Sequence, residues 1–219
     1  MGIDEAKGRL ANYITRWNVD KAKIDTEEDT RFQMIDVILT EILGWERHEI
    51  KTNPHSEGGF ADYLVRHADK NWMVIEAKRS GKALLDTQNI KMSAYKMAGP
   101  AMQCAADGIA QARRYCLDHS VEFAGLTNGY QWLGYLGVRT DGRPLGEGKA
   151  IAFPSLEAIT SDFSVFYDLF SKEGVLQRRY LIHINKSEGV TVHLAEKLLQ
   201  AIPLSYILKV HRSQLSMDL

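Results

Sequence analysis

Leu10, Tyr13, Ile14 and Trp17 recur at the spacing of one helical face, which predicts a first helix over residues 3–18. A second begins at TEEDTR, where Asp25 or Thr26 can cap the free amides and the acids of the first turn suit the helix dipole. Its apolar positions, Ile35, Ile38, Leu39 and Ile42, keep a 3.6-residue period until Gly44 ends it. The polar loop KTNPHSEGG gives way to two β-like runs, Phe60 to Arg66 and Trp72 to Lys78, joined by HADKN as an antiparallel hairpin. Residues 84–97 and 101–118 read as helices broken at Gly99-Pro100. VEFAGLTNGYQWLGYLGV supplies a second hairpin around Asn128-Gly129. The tail from Ile151 onward mixes a helix from Phe163 to Lys172, an undecided run from Arg179 to Ile184, and a helix from Thr191 to Ala201 that Pro203 stops. There are no repeats and no low-complexity tracts.

Composition narrows the classes. With 219 residues, 45% hydrophobic and 25% charged, the chain can bury one full core. No apolar run approaches the roughly 18 residues of a membrane span, and MGIDEAKGRL lacks the apolar centre of a secretion signal. Cys104 and Cys116 have no clustered Cys or His partners. They read as small core residues in a reducing cytoplasm, not as a disulfide or zinc site. TDGRPLGEGKA fails as a P-loop, because no glycine precedes Gly148-Lys149 at the required spacing and Ala150 stands where Ser or Thr is needed. His55 and His67 flank the first hairpin and read as loop residues, and the tryptophans with Tyr130 and Tyr135 read as sheet packing.

The net charge of −1 argues against a general polyanion coat, so any nucleic-acid contact must be local. Between Glu76 and Tyr115, seven basic residues (Lys78, Arg79, Lys82, Lys91, Lys96, Arg113, Arg114) stand against three acids (Glu76, Asp86, Asp107). Lysines and arginines that touch phosphates bind without regard to sequence and weaken in salt. Arg79, Lys82 and Arg114 are candidates to position nucleic acid; Lys91 and Lys96 read as a solvated helix face. No base-reading pattern is visible.

The chemistry concentrates in VIEAKRS, Val74 to Ser80. Side chains alternate along a strand, so Glu76 and Lys78 project from one face and Ile75 and Ala77 from the other. An E-x-K pair is commonly a surface ion pair. Here the run W-M-V-I-E-A-K is apolar on both faces up to Glu76, the signature of a central strand covered on both sides. If the hairpin pairs this strand with FADYLV, Asp62 and Glu76 converge, and two carboxylates at close range need a cation between them. A hard divalent ion such as Mg²⁺ suits an oxygen-rich site, where it can polarise a phosphoryl oxygen and acidify a bound water. Lys78 can orient that water or offset charge growing on the phosphate.

These pieces have an order. Thr26-Glu27 with Arg31, Leu43-Gly44-Trp45, Ala61-Asp62-Tyr63, Ile75-Glu76-Ala77-Lys78, Gln111 with Tyr115, and Leu126-Thr127-Asn128-Gly129 with Trp132 together resemble the PD-(D/E)XK nuclease superfamily. More narrowly, they are similar to the N-terminal nuclease domain of the type I restriction enzyme motor subunit, over roughly residues 20–137. The resemblance implies a restriction-endonuclease-like α/β fold with a four-stranded mixed sheet flanked by helices. It implies a catalytic set of Asp62, Glu76, Lys78 and Glu27. Mg²⁺ (or Mn²⁺) would be held by Asp62, Glu76, the Ala77 carbonyl and Glu27, with Glu28 as the rival of Glu27. Gln111 and Tyr115, which an i, i+4 spacing puts on one helical face, would help place the nucleic acid. Phe60-Ala61 stand where the family name expects a proline.

The expectation is therefore a nuclease core over 1–140 and, over 141–219, an extension that packs on the core or links onward. The chain would act as a Mg²⁺-dependent endonuclease on DNA, duplex above all, within a restriction or phage-defence protein. A ribonuclease or an inactive nucleic-acid-binding module are the competing readings. An ATPase motor or sensor region in the same or a partner chain is the expected companion, oligomerisation is open, and no membrane is involved.

Overall fold

The first helix, α1 (Ile3–Asp20), turns Ala6, Leu10, Tyr13 and Trp17 inward, as its spacing requires. The second opens at α2 (Glu27–Thr30) under a reciprocal cap: Asp29 N–H donates to Thr26 Oγ1 (3.0 Å) and Thr26 N–H to Asp29 Oδ2 (3.3 Å). It continues through two π-helical turns, Arg31–Ile35 and Ile38–Ile42. At its end Gly44 adopts φ +78° and Trp45 N–H closes back on the Leu39 carbonyl. Ile35, Ile38, Leu39 and Ile42 are all buried. This computed structural model describes residues 1–20, 26–56 and 59–190; the alternative cap Asp25 and the helix expected from Thr191 to Ala201 lie outside them.

A mixed sheet follows. Its strands are β1 (Ile50–Thr52), β4 (Tyr63–His67), β5 (Lys70–Ala77), β6 (Ser93–Lys96), β7 (Phe123–Thr127), β8 (Trp132–Leu136) and β9 (Lys149–Phe153). They lie in the order β1-β4-β5-β7-β8-β9-β6, with β5 and β7 parallel and every other neighbouring pair antiparallel. Between β1 and β4, the short strands β2 (His55–Ser56) and β3 (Gly59–Phe60) pair separately. The crossover from β5 to β7 carries the 3₁₀ turn Pro100–Ala105 and α3 (Ala106–Asp118), as a parallel pair requires.

Both hairpins form as the sequence predicts. Ala68 and Asp69, at the β4–β5 turn, have φ of 46° and 61°, the positive pair of a primed two-residue turn. The sheet is nevertheless seven strands wide and not four. The four expected strands are its contiguous middle, β4-β5-β7-β8, and additions at both edges widen it. At one edge β1 has only three residues, too few to carry a pattern. At the other, the helix expected over 84–97 is absent: Leu84 and Leu85 are buried in an irregular segment, and Ser93–Lys96 pairs with β9 in the register Ser93↔Ala152. Apolar spacing over so short a span fits a helix as well as a strand, and the open edge of β9 decided the outcome.

The sheet is covered on both faces. One face packs on α1, the second helix and α4 (Leu156–Ser161), α5 (Phe163–Phe170), α6 (Lys172–Leu176) and α7 (Tyr180–Ser187), around Phe123, Trp132, Phe166 and Phe170. The other packs on α3 around Leu64, Val74, Tyr115 and Leu126. Residues Met1–Glu188 form one compact unit, to which residues 141–188 contribute β9 and α4 to α7; a second unit begins at Gly189. Cys116 is buried, but Cys104 is exposed on the 3₁₀ turn and is not the core residue expected. Among the described residues no helix is long and apolar enough to cross a membrane.

The β7–β8 turn is braced by Asn128, whose Oδ1 accepts from the N–H groups of Tyr130 (3.1 Å) and Gln131 (2.7 Å). Gly129 beside it has φ +86°, and a Cβ there would lie 2.6 Å from Met34 Sδ. Gly129→Ala is expected to cost about 1–3 kcal/mol, from left-handed strain and overpacking together. A lowered urea midpoint at unchanged m-value checks it.

Candidate active site

At the carboxyl end of β5, three sequence-distant segments meet. Tyr63 pairs with Ile75, so Asp62 stands beside the Glu76–Ala77 end of the neighbouring strand. Its Oδ2 accepts from Ala77 N–H at 2.7 Å, which fixes the carboxylate across the strand pair. Glu76 lies on the α3 side of the sheet and is 4% exposed. Lys78, just past the strand, is held by its backbone N–H to the Thr127 carbonyl (2.8 Å). Its Nζ donates to Glu76 Oε1 (2.6 Å) and to Gln111 Oε1 on α3 (2.8 Å). The helix comes this near because residue 108 is glycine: a Cβ there would meet Leu126 Cδ1 at 2.7 Å and Lys78 Cε at 3.4 Å.

Arg31, in the first π-helical turn, closes the other side. Its Nη1 donates to Asp62 Oδ1 (3.2 Å) and Asn53 Oδ1 (3.1 Å), its Nη2 to the Asp62 carbonyl (3.1 Å), and it lies 4.9 Å from the centre of the Tyr63 ring. Tyr63 in turn donates to Asp36 Oδ1 at 2.8 Å. Thr30 is buried and its Oγ1 accepts from Ser80 N–H (3.0 Å), tying the helix to the segment after β5.

The electrostatics mark Glu76. Burial, and then the Asp62 carboxylate, push its carboxyl up to about 7 against the opposing pull of Lys78. Glu27 is raised too, by burial first and then by Asp62. Glu76 Oε2 is buried with no hydrogen-bond partner. An orphaned carboxylate oxygen is costly and calls for an explanation at each instance.

Most of the residues singled out from the sequence lie here. Glu76, Lys78 and Gln111 are joined directly, Asp62 is fastened to the adjoining Ala77 N–H and acts on Glu76 through its charge, and Glu27 is near enough to Asp62 and Lys78 to be perturbed by both. Of the two helix-two rivals, Glu27 is half-buried and Glu28 is exposed. Tyr115 is buried, its phenol raised by burial and by the Glu76 charge. Arg79 and Arg114 are exposed, and Lys82 is half-buried, its carbonyl accepting from Asn128 Nδ2 (2.8 Å). His67 lies elsewhere, paired with Glu49. Among the described residues no three His, Cys, Asp or Glu side chains form a metal-ligand group; in this arrangement Arg31 and Lys78 occupy the carboxylates. The sequence pattern included Arg31 without giving it a role, although Glu27 and Arg31 are spaced i, i+4 and so share a helical face. Gly108, one turn before Gln111, was the missed signal for a close helix approach.

The chemistry of these donors fits a hard divalent cation. They are carboxylate oxygens, the Asp62 charge raises the proton affinity of Glu76 and of Glu27, and one Glu76 oxygen is buried without a partner.

No family model matches the chain, and no curated protein matches it. Among solved structures, the chain is similar to the type IIG restriction endonuclease BpuSI, at 13% identity and a TM-score of 0.36. The match covers 81% of this chain and 16% of that one, so the chain spans about a sixth of the length of that protein, and no activity is inferred from the likeness.

Proposed function

We propose that this chain is a metal-dependent endonuclease module that hydrolyses phosphodiester bonds in DNA, with a restriction-endonuclease-like core. The observation that carries the reading is the buried Glu76, with one oxygen on Lys78 and the other without a partner, beside the fixed Asp62. A structural ion pair does not need an orphaned oxygen, whereas a cation site leaves one for its guest.

Asp62, Glu76 and Glu27, with the Ala77 carbonyl, would hold Mg²⁺, and Mn²⁺ would substitute. Once bound, the ion would polarise a phosphoryl oxygen and lower the pKa of a water. The protein's part is orientation. Ala77 N–H and Arg31 keep the Asp62 carboxylate in one rotamer, and Gln111 steers Lys78. Lys78 keeps a cation against the growing charge of the phosphate and can orient the attacking water. Tyr115, Arg79, Lys82 and Arg114 would track the nucleic-acid backbone. A restriction or phage-defence setting, with a motor or sensor region as companion, is the context that such a module suits.

Cleavage of supercoiled plasmid, linear duplex, single-stranded DNA and a structured RNA, each in Mg²⁺, Mn²⁺ and EDTA, tests the reading. DNA cutting that needs the metal and falls about 10²–10³-fold in Lys78→Met is the expected result. Cutting of RNA alone would move the assignment to a ribonuclease. No cutting, with no metal uptake by calorimetry, would end it.

A further inference from the structure

A second polar site lies on the same face of the sheet. Lys51 on β1, Arg66 on β4, Asn71 on β5, His55 on β2 and His119 at the end of α3 line a pocket of about 490 Å³ with no acidic side chain in its wall. That volume is ample for a phosphate or pyrophosphate group. Two of its residues carry unmet hydrogen-bonding capacity: Arg66 Nε and His119 Nε2 are buried without partners. Arg66 Nε–H is a donor in every state at ordinary pH, so its missing partner is an acceptor.

The backbone assembles this pocket by a bulge. Up to Val65↔Met73 the β4–β5 ladder is regular; then Arg66 pairs with Asn71 and Trp72 is skipped. The extra residue turns Asn71 to the Arg66 side, where Nδ2 donates to the His119 carbonyl at 3.1 Å. Trp72 is left to pack on the opposite core and to stack under Lys70 at 4.1 Å. The bulge thereby fixes His119 beside Arg66.

Two rulers relate the pocket to the acidic site. On α3, Gln111, Tyr115 and His119 are spaced by four, so Gln111 at Lys78 and His119 at the pocket are about 12 Å apart at 1.5 Å per residue. Along β4, Asp62 and Arg66 are about 13 Å apart at 3.3 Å per residue. Both elements thus run about the same length from the acidic site to the pocket. That length is several times the ~3.4 Å axial rise of one duplex step, so a phosphate in the pocket is not the one at the acidic site.

We propose that the Lys51–Arg66–His119 pocket binds a phosphate group, supplied by the backbone of a nucleic acid a few nucleotides from the point of cleavage. It goes beyond the proposed function and shares with it only the premise of a nucleic-acid partner. Binding is therefore measured in EDTA, where the metal site takes no part.

The test compares anisotropy of a fluorescein-labelled duplex across a salt series for wild type, Lys51→Gln/Arg66→Gln, Lys51→Glu alone and Lys7→Gln, an exposed lysine of α1 as control. The double variant should lose about ten- to a hundredfold in affinity and flatten the log–log salt slope by about two. Lys51→Glu, at an exposed position, should weaken binding without touching the fold, and Lys7→Gln should change neither. A parallel calorimetric titration with pyrophosphate separates the sources. Pyrophosphate uptake lost in the double variant, with duplex binding unchanged, would keep the phosphate site and assign it to a free anion. Unchanged duplex and pyrophosphate binding in both Lys51 variants would overturn the proposal, whatever the cleavage assay gives.

Discussion

Glu76→Gln should abolish metal-dependent cutting and at the same time make the protein more stable above neutral pH. Burial and the Asp62 charge hold the native Glu76 carboxyl near 7, against an ordinary value of 4.5. Between those values the native state keeps a proton that the unfolded chain has released, so this group makes stability fall as pH rises from about 4.5 to 7 and level off beyond. At roughly 1.4 kcal/mol per pH unit, the gap sets an upper limit of about 3 kcal/mol. Glutamine removes the burden but leaves Lys78 without its carboxylate, so a gain of about 1–3 kcal/mol at pH 8 in EDTA is expected, fading below pH 5. Denaturant melts at pH 5, 7 and 8 read this difference. Cutting should fall at least 10³-fold, the scale on which losing a charged active-site group is felt. A variant less stable at pH 8 than wild type would show that Glu76 is an ordinary structural ion pair.

Glu188→Ala should have the largest effect on folding, with no part in the chemistry. The Glu188 carboxylate accepts from Arg139 Nη1 (2.7 Å) and Nη2 (2.8 Å), from Arg143 Nη2 (2.7 Å) and from Lys149 N–H (2.9 Å). Its side chain is 2% exposed and that of Arg139 is 5%. The group fastens the end of α7 to the loop before β9. Deleting the acid leaves the Arg139 guanidinium buried beside Asp141 alone, and breaking such a pair costs on the order of 3–5 kcal/mol. That is a large share of the ~5–15 kcal/mol that holds a typical domain together. The pH dependence has the opposite sign to that of Glu76. Burial opposes it, but the Arg139 bonds hold the Glu188 carboxyl below the usual range. Its contribution is therefore present above the ordinary glutamate value and lost as pH falls below it. Thermal melts at pH 7 and pH 4 should show a deficit for Glu188→Ala that narrows in acid.

How much of this was legible depended on whether the cause was local. The VIEAKRS run announced its burial, because apolar residues on both strand faces have no other stable place. HADKN and Asn128-Gly129 announced their hairpins, since turn chemistry is set within a few residues. From those two hairpins the meeting of Asp62 with Glu76 followed, and so did the side of the sheet on which Lys78 lies. That Glu27 is the half-buried acid near Asp62 while Glu28 is exposed did not, because π-helical turns separate these acids from the helix's apolar residues and no period of 3.6 encodes them.

Residue order alone set out the two amphipathic helices, the four middle strands and the charged side chains that the site could draw on. It did so because burial of an apolar face and the preferences of a turn act over short separations. Long-range packing was needed to make the sheet seven strands wide, to make Ser93–Lys96 a strand and not a helix, and to clamp Asp62 with Arg31. It alone turned Asn71 toward Arg66 through a bulge and left Arg66 Nε and Glu76 Oε2 buried without partners. Each of these rests on pairing or desolvation between segments distant along the chain, and their free energy exists only once the rest of the fold has excluded water from them.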